Sequence, residues 1–139
     1  MKTLFTFTIM LFSSFIKGQI DTPINQYNSK GEKIGLWKTV DEFEGDSIKV
    51  FSYYRNGLLD SEVFTNYMNG NPHSTLPYRL GKRQGKAKFY YKNGAIADIF
   101  IYKNDSAIFH VKFTPSGQIF QESEGSKMIQ YKNGRPDID

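Results

Sequence analysis

The sequence predicts an all-β protein, an elongated antiparallel sheet grown from stacked hairpins, on three observations. Short runs alternate apolar and polar residues with a period of two, as half-buried strands do. Asn-Gly, the strongest short hairpin signal, falls at Asn56-Gly57, Asn69-Gly70, Asn93-Gly94 and Asn133-Gly134, each closely preceded by a tyrosine. Successive pairs at 56, 69 and 93 lie 13 and 24 residues apart, which fits a half and a whole of a unit of about 23 residues.

The chain opens on a segment to be set apart from that fold. Met1-Lys2 is positive, Leu4 to Ile16 is an apolar run broken only by Thr6, Thr8, Ser13 and Ser14, and Lys17-Gly18-Gln19 supplies a small residue for cleavage. These are the parts of a secretory signal peptide. A membrane-spanning helix needs about 20 apolar residues. The expectation is therefore a signal peptide at 1–18, a hairpin-repeat domain at 19–139, and export to the periplasm or the extracellular space. Removing 1–18 takes away Lys2 and Lys17 and no acidic residue, leaving 16 basic against 14 acidic side chains and a net charge of +2 rather than +4. So small an excess gives little support to nucleic-acid binding, which needs a clustered cationic face. Cysteine is absent, which excludes disulfides, thiolate metal sites and a cysteine nucleophile.

Strand signals follow in order. Ile48 to Tyr54 alternates imperfectly, and Ala87 to Lys92 more clearly. In Ala107 to Phe113, one face collects Ala107, Phe109, Val111 and Phe113 while His110 and Lys112 take the other. No window of a dozen residues shows helical apolar spacing, so almost no helix is expected. Gly31-Glu-Lys-Ile-Gly35-Leu-Trp37 and Gly81-Lys-Arg-Gln-Gly85 share a Gly-x-x-x-Gly opening fifty residues apart. The stretch near 71–80 carries Pro72 and Pro77 and is expected to interrupt the array as a loop.

The Gly-x-x-x-Gly openings followed by Tyr-x-Asn-Gly, clearest in Gly81–Asn104 and running from about Gly31 to Gly134, resemble the MORN repeat, in the bacterial form found in YwqK-family antitoxin-like proteins. The resemblance implies an open single-layered sheet of stacked hairpins that binds or scaffolds and brings no catalytic residues of its own. It departs from the pattern at Ala87, where the first unit has Trp37. An exported chain would also not meet a cytosolic toxin.

Candidate sites are few. His73 and His110 are the only histidines, and no His-x-His or His-x-x-Glu spacing supplies partners for a dyad or a zinc ion, so both read as ordinary surface residues. Asp41, Glu42, Glu44 and Asp46 lack a calcium-loop framework and read as a solvated turn. Arg79, Lys82, Arg83, Lys86 and Lys88 place five cations within ten residues, and alternation sets Lys86, Lys88 and Tyr90 on one face. With Arg83 they are expected to form a cationic-aromatic contact surface for an anionic partner, although the same residues also suit a solvated hairpin turn. No catalytic residue, metal or cofactor is expected. The function expected is a non-catalytic exported binding or scaffold module for a protein or an anionic envelope polymer. The alternatives are an antitoxin- or immunity-like partner of one cognate protein and, more distantly, a small envelope hydrolase.

Overall fold

The computed structural model describes residues 23–132 and 135–136. The expected signal peptide at 1–18 and the Asn133-Gly134 turn lie outside them. Thirteen strands form one open antiparallel sheet, and among the described residues there is no helix. In chain order they are β1 (Gln26–Tyr27), β2 (Lys33–Phe43), β3 (Asp46–Arg55), β4 (Leu58–Leu59), β5 (Glu62–Tyr67), β6 (Pro72–Arg79), β7 (Lys82–Arg83), β8 (Gly85–Tyr90), β9 (Ile96–Lys103), β10 (Ser106–Phe113), β11 (Ile119–Glu124), β12 (Lys127–Lys132) and β13 (Arg135–Pro136). The sheet is a meander: each long strand pairs with the next, while two-residue β4 and β7 attach to β3 and β6 at one margin.

Two kinds of turn alternate along the two margins. At one, Glu44-Gly45 stands alone, and at the other Asn56-Gly57, Leu80-Gly81 and Asn104-Asp105 recur every 24 residues; in all four pairs both residues have φ between 47° and 82°. That is the type I′ hairpin turn, whose twist matches that of the strands it joins. The turns at Asn69-Gly70 and Asn93-Gly94 are different. Gly70 N–H donates to Tyr67 C=O and Gly94 N–H to Tyr91 C=O, and only the glycine of each pair has positive φ. These are type I turns closed by a glycine in the left-handed region. The asparagine instead accepts from the backbone two residues on, at Asn71 and Ala95. Asn-Gly thus marks a turn at three of its described sites but a two-residue type I′ hairpin only at Asn56-Gly57.

Repeated hydrogen bonds tie each hairpin to the next. Gly57, Gly81 and Asp105 N–H groups donate to the carbonyls of Lys33, Leu59 and Arg83, at 2.9, 2.7 and 3.0 Å. On the opposite margin the Tyr67 hydroxyl donates to Tyr90 C=O and the Tyr91 hydroxyl to Phe113 C=O. The tyrosine of Tyr-x-Asn-Gly therefore links one turn to the next instead of only filling a core.

The proline-rich stretch near 71–80 is strand β6, not a loop, and the sheet is uninterrupted there. Pro72 opens the strand. Pro77 C=O accepts from Gln84 N–H, so its missing N–H faces the β8 side, where the ladder reaches only Ser74↔Phe89 and Thr75↔Lys88. Both prolines sit where a strand tolerates them.

Register assigns side chains to two faces. On one, Val50, Thr65, Ser74, Phe89, Asp98 and Lys112 follow one another across six strands. Trp37 lies on that face too, since it pairs with Ser52 two residues along from Val50. The side chains sealed most completely in a single-layered sheet are small ones shaded by larger neighbours, Ala87 at 0% and Ser74 at 2% exposure. On the other face Phe51, Phe64, Thr75, Lys88, Ile99 and Val111 make an equivalent row.

Candidate functional site

Two features stand out, an aromatic groove on the Trp37 face and a cationic cleft on the type I′ margin. The groove is an open depression of about 490 Å³ between two aromatic clusters. In the first, the rings of Phe43 and Tyr67 meet His73 edge-on, with centroids 4.9 and 5.0 Å away. Phe43 reaches this position from the end of β2, and His73 is turned onto the face by the register shift between Thr65 and Asn66. In the second, Phe100 packs against Phe89 at 5.7 Å and lies flat on His110 at 4.0 Å. Asp98 and Lys112, paired across β9 and β10, add charged groups to the groove, and Glu44 stands at its rim.

Both histidines are built into this face, contrary to the surface placement expected of them. His73 is buried, and its Nδ1 lies 2.7 Å from Thr65 Oγ1, which in turn lies 2.6 Å from Ser74 Oγ. Burial pushes the imidazole below its ordinary pKa, against a smaller upward pull from Glu44 and Asp46. The ring is therefore neutral at pH 7, one nitrogen donating and one accepting. His110 Nε2 lies 2.7 Å from Asp98 Oδ1; a carboxylate only accepts, so Nε2 carries the proton. A stacked ring and a hydrogen bond fix His110, and through it Asp98 is held in one orientation.

The second feature gathers Arg79, Lys82 and Lys103 around an open cleft of about 450 Å³, with Leu80, Gln84 and Asn104 between them. No acidic side chain lines it, and among the described residues none of the three cations has an ion-pair partner. Lys103 arrives from the end of β9 through the 24-residue spacing, which stacks the Asn104-Asp105 turn beside Leu80-Gly81.

Of the cations expected to share one surface, Arg79, Lys82, Lys86 and Lys88 lie on the face opposite Trp37, and Arg83 is turned away from them. Arg79 and Lys82 lie in the cleft. Arg83 is committed elsewhere, with its guanidinium 4.4 Å from the Tyr102 ring on the Trp37 face and its Nε 3.3 Å from Asp105 Oδ1. That carboxyl is held below its usual range, chiefly by the hydrogen bond it accepts from Arg83 N–H. Lys86 and Lys88, opposite Ile101 and Ile99, are outside the cleft lining, and Tyr90 reaches the rim of the groove after the register shift at Phe89/Tyr90. A residue set chosen by closeness in sequence could not include Lys103, Phe43 or Phe100. The recurrence at 24 residues was the signal that brings Lys103 to Arg79.

Among the described residues no three His, Asp or Glu side chains converge as a metal site, and no helix is long and apolar enough to cross a membrane. No family model, curated protein or solved structure matches this chain.

Proposed function

We propose that the chain is a non-catalytic binding module of MORN-like stacked hairpins that engages an anionic polymer of the cell envelope through the cationic cleft. The carrying observation is the convergence of Arg79, Lys82 and Lys103 with no acidic side chain between them. Three cations with no ion-pair partner among the described residues repel one another, and a phosphate- or carboxylate-bearing chain relieves that repulsion. The open shape suits a polymer that passes through. Repetition of the turns along the margin also lets neighbouring units of the polymer meet neighbouring hairpins. Attraction of this kind weakens with salt, as the Debye length falls from about 10 Å at 0.1 M to about 3 Å at 1 M.

The test is retention of the full-length chain on immobilised polyphosphate and heparin. Wild type is expected to bind at low salt and elute as salt rises. Arg79→Glu, Lys82→Glu and Lys103→Glu together should abolish retention with unchanged circular dichroism. Lys86→Glu with Lys88→Glu, on the same face but outside the cleft lining, should weaken it less. Retention that survives the triple reversal, or that ignores salt, overturns the reading.

A further inference from the structure

From the groove on the Trp37 face, independently of the cationic cleft, we infer a binding site for a neutral oligosaccharide. Its volume falls within the roughly 300–1,000 Å³ of ligand sites, and its lining combines aromatic rings with a few placed polar groups, as such sites do. The rings of Phe43, Tyr67, Phe89 and Phe100 present apolar surface to the C–H faces of a sugar. Phe43 is 44% exposed although it packs on His73, so it offers a ring to solvent without having to move.

The polar groups decide between ligand classes. A proline-rich peptide also docks on aromatic grooves, but its carbonyls need donors. Of the three tyrosines that line the groove, two have spent their hydroxyls, Tyr67 on Tyr90 C=O and Tyr91 on Phe113 C=O, which leaves the Tyr90 hydroxyl. What the groove still offers is a mixture of acceptors and donors. The carboxylate of Asp98 has only Oδ1 engaged by His110, Glu44 brings a second carboxylate, and Lys112 an ammonium with no ion-pair partner among the described residues. His73 has Nδ1 occupied by Thr65 and makes no hydrogen bond through Nε2 among the described residues. Hydroxyl groups both donate and accept, so a polyhydroxylated ring satisfies this set. The two carboxylates outnumber the one ammonium, which disfavours an acidic sugar. The groove is open to solvent and takes a segment of a longer chain.

The sequence contains only two histidines, one in each aromatic cluster, which makes their ring signals a specific reporter. The full-length chain carrying isotope-labelled histidine is titrated with cellotetraose, chitotetraose, xylotetraose and mannotetraose, and separately with decaproline. At least one tetrasaccharide should shift both histidine ring signals saturably. Phe43→Ala should weaken that binding tenfold or more while leaving the strand circular dichroism intact. Lys112→Ala, an exposed change, should weaken it as well and guards against a folding artefact at Phe43. The inference fails if none of the four sugars shifts the rings, if decaproline alone does, or if both variants bind as wild type does.

Discussion

His73 shows how a single side chain changes character when a sheet closes around it. In sequence it stands beside Pro72 with no partner in reach; in the fold its ring is enclosed by Phe43 and Tyr67 and bonded to Thr65. Burial lowers its pKa, so as pH falls the unfolded chain takes up the proton before the folded one does. The stability contributed by the neutral ring is then fully present above about pH 6.5, the ordinary histidine value, and is lost progressively as pH falls below it. Glu44 and Asp46, the charged groups that act on the ring, moderate the loss because both favour the protonated form. Melting temperatures from pH 7.5 to pH 5 should fall more steeply for wild type than for His73→Gln, which cannot take up the proton. Equal slopes would show that His73 titrates no differently in the folded and unfolded chain. The burial itself was hidden from the sequence, because it depends on a register shift at Thr65/Asn66 that moves His73 onto the Trp37 face.

Among the elements, identical dipeptides do different work according to the margin they occupy. Asn56 has φ 47° in a type I′ turn, whereas in the turns at Asn69-Gly70 and Asn93-Gly94 only the glycine is left-handed. A left-handed conformation costs an ordinary L-residue roughly 1–2 kcal/mol, and a β-branched one is a genuine outlier there. Asn56→Val should therefore destabilise the protein by about 1–2 kcal/mol in chemical denaturation. Asn93→Ser should cost less, since serine keeps a side-chain oxygen that can accept from Ala95 N–H in the same kind of local turn. Equal losses in both variants would contradict the distinction between the two turns. The existence of hairpins and their all-β character were legible because period-two alternation and Asn-Gly are local signals. The turn types were not, because Tyr-x-Asn-Gly is common to both and the choice is made by the register of the neighbouring strands. Strand β6 was missed for a related reason. Pro72 and Pro77 argue against a strand until it is known that the strand's first residue and the gap in the β6–β8 ladder accommodate them. The candidate site was legible only at Arg79, Lys82 and the rim residue Tyr90. Its other members come from strands far apart in sequence.

For the molecule as a whole, the meander makes each hairpin depend on its immediate neighbours, since apart from two-residue β4 and β7 every long strand pairs with the strands before and after it in the sheet order. Stability in such an array is approximately a sum of unit terms and nearest-neighbour interface terms. The spacing of 24 residues between Leu80-Gly81 and Asn104-Asp105 defines a unit that can be added without changing register. Leu76 and Ser74 on β6 then correspond to Phe100 and Asp98 on β9, which lie on the same face, so an inserted unit presents the correct side chains to both neighbours. Duplicating residues 81–104 in tandem places Asn104 directly before the second copy of Gly81 and so writes Asn-Gly, the preferred type I′ pair, at the junction. The lengthened chain should remain monomeric and all-β by circular dichroism. Its unfolding midpoint should not decrease and its denaturant dependence should steepen, because the added hairpin buries a further interface. A duplicated chain that aggregates, or that melts well below wild type, would mean that stability resides in specific contacts of the two aromatic clusters and not in the repetition of hairpins.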